Sequence, residues 1–220
     1  MEKQEWIRLL QETVDRCNEN RMEGGPMWET PLVGFAAGGD PLFRYFCEEI
    51  GEGYLSPSEA FHLGCKDCGA QDEDLTVVSL AFPHRDETRR LQRMETREPS
   101  LPWRITRNRW STFIHAFYDD LQESFAKAGI RVVIPDLLPG VGMRYSEKHG
   151  YASNWSHRHT AFAAGLGTFG LSEGLITRKG VAARFATLIV AEFLEPDPRE
   201  YTDVREWCGF DRGCRACMAR

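Results

Sequence analysis

Apolar positions recur at helical spacing near the start of the chain. Trp6, Ile7, Leu9, Leu10, Val14 and Cys17 fall close to one stripe between Glu5 and Asn18. Gly24-Gly25-Pro26 ends that segment. Residues 26 to 55 are dense in glycine, proline and aromatics, which predicts irregular structure around a short helix. Ser56-Pro-Ser-Glu59 predicts a helix start, with serine as cap, proline in the first turn and glutamate three residues on. Leu75 to Phe82 is enriched in β-formers and predicts a buried strand. After Pro102, a stripe of Trp110, Phe113, Ile114, Phe117, Leu121 and Phe125 predicts a long helix reaching Ala128 and closed by Gly129. Ile130 to Ile134 predicts a second strand. Leu175-Ile-Thr177 and Phe185 to Ala191 read as two more, joined through Arg178-Lys-Gly180 as a hairpin. Mixed helices and strands with one antiparallel pair predict an α+β or mixed-sheet α/β fold.

The stretch from Asn154 to Thr177 breaks this regular pattern. It opens on cap-competent polar residues, runs through a short apolar segment and breaks at Gly165, and Gly165, Gly167, Gly170 and Gly174 follow within ten positions. Two readings stand: a turn packed against the core, or a loop that lets a ligand approach the backbone. No Gly-Lys-Ser/Thr follows, and the G-x-G-x-x-G spacing of a dinucleotide fold is absent.

At 220 residues the chain can bury a substantial core as one large or two small domains. It has no long uncharged apolar run, so no transmembrane helix and no membrane partner are expected. Its charged N-terminus lacks the apolar centre of a signal peptide, which predicts a cytoplasmic protein. A net charge of −6 argues against a generally nucleic-acid-binding surface and leaves room for a local basic patch. Eight arginines between Arg85 and Arg109 supply one candidate. Such a run is ordinarily a solvated helix face, and its sharper reading is a phosphate site.

Seven cysteines, an odd number, are poor evidence for a disulfide framework in a reducing compartment. Cys65-Lys-Asp-Cys68 has ligand spacing but no second pair nearby, and reads as two incidental thiols. Cys208, Cys214 and Cys217 form C-x5-C-x2-C. Bacterial ferredoxins bind four-iron four-sulfur clusters through C-x2-C-x2-C-x3-C-P. The closing C-x2-C fits that run, whose fourth cysteine would follow residue 220. These three thiols are therefore candidate iron–sulfur ligands, with a zinc ribbon completed by Cys65 and Cys68 as the competing reading.

Ala164-Gly-Leu-Gly167, the apolar strands after it and the cysteine run together resemble the epoxyqueuosine reductase-like proteins. These are related to the reductive dehalogenases, which carry cobalamin and iron–sulfur clusters. The resemblance spans most of residues 70 to 217 and is most specific at Tyr151–Thr177 and Cys208–Cys217. Glu87-Thr-Arg-Arg90 to Arg97-Glu-Pro99, together with Ser153-Asn-Trp-Ser156, is similar to one subgroup. The resemblance implies a nitroreductase-like cofactor domain over residues 1–200, leading at 201–220 into an incomplete ferredoxin-like module. It implies an oxidoreductase that takes electrons from an external donor, passes them through clusters to cobalamin, and reduces a small-molecule or modified-nucleoside substrate. The 220 residues alone are then expected to be inactive. The cofactor-binding candidates are Asn154, Ser156, His157, Gly165, Gly167, Thr168 and Gly170, with the glycines making room for a corrin. In epoxyqueuosine reductases an aspartate thirteen residues before the alanine of Ala-Gly-Leu-Gly is the proton donor. Counting back from Ala164 reaches Tyr151, which becomes the catalytic candidate, activated by Arg144, Lys148, His157 or Arg158. The family's RNA-binding C-terminal repeats are missing, so tRNA is not an expected partner. An iron–sulfur electron-transfer or scaffold protein without cobalamin is the alternative, and a zinc-binding interaction module is a third.

Overall fold

The chain, seen in a computed structural model that describes residues 1–51 and 53–217, is built on an antiparallel sheet covered on both faces. Helix α1 (Lys3–Arg16) leads through a small hairpin, β1 (Arg21–Met22) and β2 (Gly25–Pro26), to strand β3 (Leu32–Ala37). Helices α2 (Pro41–Ile50) and α3 (Pro57–Gly64) precede β4 (Thr76–Pro83). Then come α4 (Asp86–Met94), the long α5 (Leu101–Ala128) and the short β5 (Val132–Val133). A second hairpin, β6 (Met143–Ser146) and β7 (Gly150–Ser153), enters α6 (His157–Ala163). Strands β8 (Gly167–Phe169), β9 (Leu175–Thr177) and β10 (Ala183–Val190) complete the elements. The main sheet runs β3-β4-β10-β5 with every pair antiparallel, an α+β arrangement.

Alternation along β4 explains why all eight of its residues are buried. Val78, Leu80 and Phe82 point to a core shared with Trp6, Leu10, Phe113, Phe117 and Phe125 of α1 and α5. Val77 and Ala81 point the opposite way, to Phe43, Phe46, Phe61, Ala161 and Phe162 of α2, α3 and α6. A strand buried on both faces reads as a continuous apolar run. The predicted caps also form. Ser56 Oγ accepts from Glu59 N at 3.2 Å while the Glu59 carboxylate accepts from Ser56 N at 2.8 Å, and Gly129 ends α5 in the left-handed conformation.

Three local expectations are corrected. The predicted hairpin between Thr177 and Phe185 does not form: β9 pairs with β8, and β10 pairs with β4 along its whole length. The region from 26 to 55 holds a six-residue sheet strand, β3, as well as α2. Of Ile130–Ile134, only Val132 and Val133 join the sheet.

The segment after β10 returns as a strap. Asp197 accepts from Phe35 N at 3.0 Å and from Lys3 Nζ at 2.6 Å, tying the strap to β3 and α1. Further on, Phe169 N donates to Val204 O at 2.7 Å and Trp207 N donates to Thr168 Oγ1 at 3.0 Å. No helix among the described residues is long and apolar enough to cross a membrane.

Candidate functional site: two clefts beside one short helix

Helix α6 separates two clefts. Residues two apart on a helix point about 200° from each other, so His159 and His157 serve different sides. On the His159 side lies an apolar cleft of about 770 Å³, walled by Phe46, Phe162, Phe169 and Met143 and closed by Thr202, Val204 and Arg205 of the strap. The His159 ring sits between Phe46 and Phe169, with centroids at 5.0 and 4.9 Å. Its Nδ1 meets Ser156 Oγ at 2.7 Å, and its Nε2 has no hydrogen bond among the described residues. Burial, with Arg158 adding to it, lowers the imidazole pKa to about 4, so the ring is neutral at pH 7.

Tyr151 stands at the rim of the same cleft. It lies opposite Tyr145 in the β6–β7 register, ring centroids 6.0 Å apart, and is 77% exposed. The cations proposed to activate it are engaged elsewhere. Arg144 donates to Gly140 O, Lys148 pairs with Glu49 at 3.0 Å, and Arg158 donates to Glu173 O.

The second cleft, about 570 Å³, opens at the end of the sheet where β4 finishes and β10 begins. Here His157 is fully committed: Nε2 meets Asp136 Oδ1 at 2.7 Å and Nδ1 meets Thr187 Oγ1 at 2.8 Å. Tyr118 donates to the other Asp136 oxygen at 2.5 Å. Burial alone would raise the Asp136 pKa, but the hydrogen bond and charge of His157, with the Tyr118 bond, hold it below the usual carboxylate range. Burial and then the Asp136 charge push the Tyr118 hydroxyl well above its ordinary value. Both His157 ring nitrogens are therefore engaged within the protein.

The remaining candidates hold the chain to itself. Asn154 does not cap α6, whose N-cap is Ser156. Its amide instead accepts from Gly142 N at 2.8 Å and donates to Gly140 O at 3.1 Å, fixing the loop before β6. Gly165 has φ +76°, with Pro198 O 3.1 Å from where a Cβ would stand. At Gly167 a Cβ would overlap the carbonyl of Ile176 in the paired strand. Gly170 N donates to Gly174 O at 2.8 Å, and buried Thr168 anchors Trp207. At Gly165 and Gly167 the missing side chain thus leaves room for the chain's own backbone, and at Gly170 for the Ile176 side chain.

Trp207 leads directly to Cys208, which is half-buried, while Cys214 and Cys217 are exposed. Cys214 N closes a turn on Gly209 O at 2.9 Å. Among the described residues no three His, Cys, Asp or Glu side chains gather as a metal-ligand group, and residues 218–220 of the expected module lie outside the described residues. Cys65 and Cys68 are joined as a disulfide, not left as free thiols, with Arg131 donating to Cys68 Sγ at 3.2 Å. The arginine run divides between α4 and α5. Arg85 pairs with Glu87, Arg89 with Glu29 and Asp86, and Arg109 with Glu19, so much of it is an ion-paired surface.

Sequence reasoning passed over Asp136, Tyr118, His84 and Arg184. None sits in a motif, and only the fold brings Asp136, His84 and Arg184 to one cleft, with buried Tyr118 behind Asp136.

The chain matches no protein-family model and no curated protein sequence. It is similar in structure to an epoxyqueuosine reductase from Streptococcus thermophilus, at 16% identity and a TM-score of 0.46 over 99% of this chain and 51% of that one. A selenomethionine-labelled epoxyqueuosine reductase is similar at 17% identity and a TM-score of 0.44, over 94% of this chain and 49% of that one. A third, solved with an epoxyqueuosine-modified tRNA stem-loop, gives 17% and 0.40, over 92% and 50%. The chain spans about half the length of these structures.

Proposed function

We propose that this chain is the cofactor-holding part of an iron–sulfur reductase that uses cobalamin on an unidentified small-molecule or nucleoside substrate. One observation carries the reading: the strap that walls the apolar cleft at Thr202, Val204 and Arg205 continues, through the Trp207–Thr168 bond, straight into the cysteine run. An electron carrier on those cysteines would lie next in sequence to the cleft wall.

The donor chemistry fits a cluster, since Cys208, Cys214 and Cys217 offer three soft thiolates, the last two at the C-x2-C spacing of a ferredoxin run. The apolar lining of the cleft suits the face of a corrin, and its volume lies in the range of organic ligand sites. A cluster on the cysteines would supply one-electron transfer, and a corrin held in the cleft a strongly reducing metal centre. The chain itself supplies an apolar wall, a neutral His159 oriented by Ser156, and the Tyr151 hydroxyl at the rim. An imidazole with a pKa of about 4 is not a cationic acid at pH 7, so Tyr151 is the proposed donor and His159 a neutral hydrogen-bonding group.

The alternative, an electron-transfer protein without a corrin, draws on Gly167, whose free side is filled by the chain's own strand. Anaerobic reconstitution of the full natural polypeptide with iron, sulfide and hydroxocobalamin separates the readings. Corrin bands together with cluster absorbance support the proposal, cluster absorbance alone supports the alternative, and stoichiometric zinc with neither rejects both.

A further inference from the structure

The second cleft is not used by that reading and has a chemistry of its own. Three arginines, Arg107, Arg158 and Arg184, line it against one acid, Asp136. Both oxygens of that acid are already taken by Tyr118 and His157. Arg184 makes no ion pair among the described residues and rests over the Trp110 ring, its guanidinium carbon 5.6 Å from the centroid. Burial and the neighbouring Arg107 both disfavour the Arg184 charge, and a bound anion would offset both.

Aromatic surface accompanies the charge. Trp103 and Trp110 line the cleft half-buried, and His84 stacks on Trp103 at 4.3 Å and 19°. Burial, then Arg184 and Arg89, lower the His84 pKa to about 4, so it adds no competing cation. Two lining side chains are also left with unmet hydrogen-bonding capacity. His84 is 4% and Trp155 2% exposed, and His84 Nδ1 and Trp155 Nε1 have no partner among the described residues. Natural structures seldom leave such groups unpaired without a ligand, water or ion to meet them.

We propose that this cleft, bounded by Trp103, Trp110, Arg107 and Arg184 on one side and by Trp155 and Arg158 on the other, binds a small aromatic anion. In this site a carboxylate or phosphate ester meets the guanidinium groups, which favour planar oxyanions bidentately. The ring lies against the tryptophans. A volume of about 570 Å³ takes a single-ring ligand of this kind. The site requires neither iron nor cobalamin, so its failure and the failure of the reductase reading are separate events.

The test is isothermal titration, with tryptophan fluorescence alongside, using phenyl phosphate and benzoate as probes. Inorganic phosphate and benzyl alcohol are the controls for charge without ring and ring without charge. Saturable binding of at least one aromatic anion is expected, with both controls at least about tenfold weaker and Arg184→Gln weakening it about tenfold or more. Preference between the two probes assigns the anion as phosphate ester or carboxylate. Should Arg184→Gln not fold by circular dichroism, Arg107→Gln at an exposed α5 position carries the same expectation. No saturable binding up to roughly 10 mM, or equal binding by folded arginine variants, overturns the proposal. So does inorganic phosphate binding as tightly as the aromatic anions.

Discussion

The two clefts share the wall formed by Ser153, Ser156 and Arg158, yet they treat their histidines in opposite ways. On the basic side His157 spends both nitrogens on Asp136 and Thr187. On the apolar side His159 spends one nitrogen on Ser156 and keeps the other open between two phenyl rings. A histidine's presence beside a cleft therefore says little; the number of ring nitrogens left unpartnered decides whether it can meet a ligand.

The largest expected effect breaks the basic side. Asp136→Ala leaves the Tyr118 hydroxyl and His157 Nε2 without their shared acceptor. Two hydrogen bonds to a charged group put the cost at about 3–5 kcal/mol by chemical denaturation. Cobalamin content per folded molecule should not change; an equal loss of corrin would mean the two sides are not independent.

Acid sharpens the comparison next. His84 and His159, one lining each cleft, have folded pKa values lowered to about 4. In the unfolded chain they titrate near about 6.5, so between these values the unfolded state binds more protons and stability rises with pH. Stability is accordingly lost as pH falls from about 6.5 to about 4, by up to about 3 kcal/mol for each histidine. His84→Phe should flatten the His84 share of that slope and leave the His159 share. An unaltered slope would place its titration elsewhere.

Gly167→Val attacks the wall of the apolar cleft through β8. The added side chain overlaps Ile176 O in β9, and β8 also carries Thr168 and Phe169, which hold the strap. A loss of about 1–3 kcal/mol is expected, the scale of overpacking, with cofactor binding falling only as the fold does. Native stability with selective loss of corrin would instead give this glycine a cofactor role.

Tyr151→Phe is the mildest change to structure. The ring is exposed and its hydroxyl makes no hydrogen bond among the described residues, so stability should move by less than about 0.5 kcal/mol. Turnover of the reconstituted enzyme should nonetheless fall about 10²-fold if the hydroxyl is the proton donor. Near-normal turnover would return Tyr151 to a surface role.

Much of the fold was legible because its elements follow local rules. The α5 stripe, the Ser56 cap and the buried run of β4 each state their structure within a few residues. Strand β3 was not legible, because Gly34 and the neighbouring Gly38-Gly39 weaken a strand pattern. Gly34 is nevertheless required there, since a Cβ would overlap Ala164 O at the end of α6. The false hairpin came from assuming that sequence neighbours pair; the partner of β10 lies more than a hundred residues earlier, with Ala186 opposite Leu80. The site shows the same division. Tyr151 and Ser156 lie in the one stretch that the sequence singles out, whereas His159 was passed over in that stretch and Asp136, Tyr118, His84 and Arg184 come together only through tertiary contact.

The most direct measurement asks whether the cysteine run feeds electrons to the apolar cleft. The full natural polypeptide and its Cys217→Ser variant are reconstituted anaerobically with iron, sulfide and cobalamin, matched for corrin content, and given a reduced electron-transfer protein. The corrin bands should shift to those of the reduced cofactor in the natural protein and remain oxidised in the variant. Equal reduction of both would contradict the assignment of these cysteines as the route into the cleft.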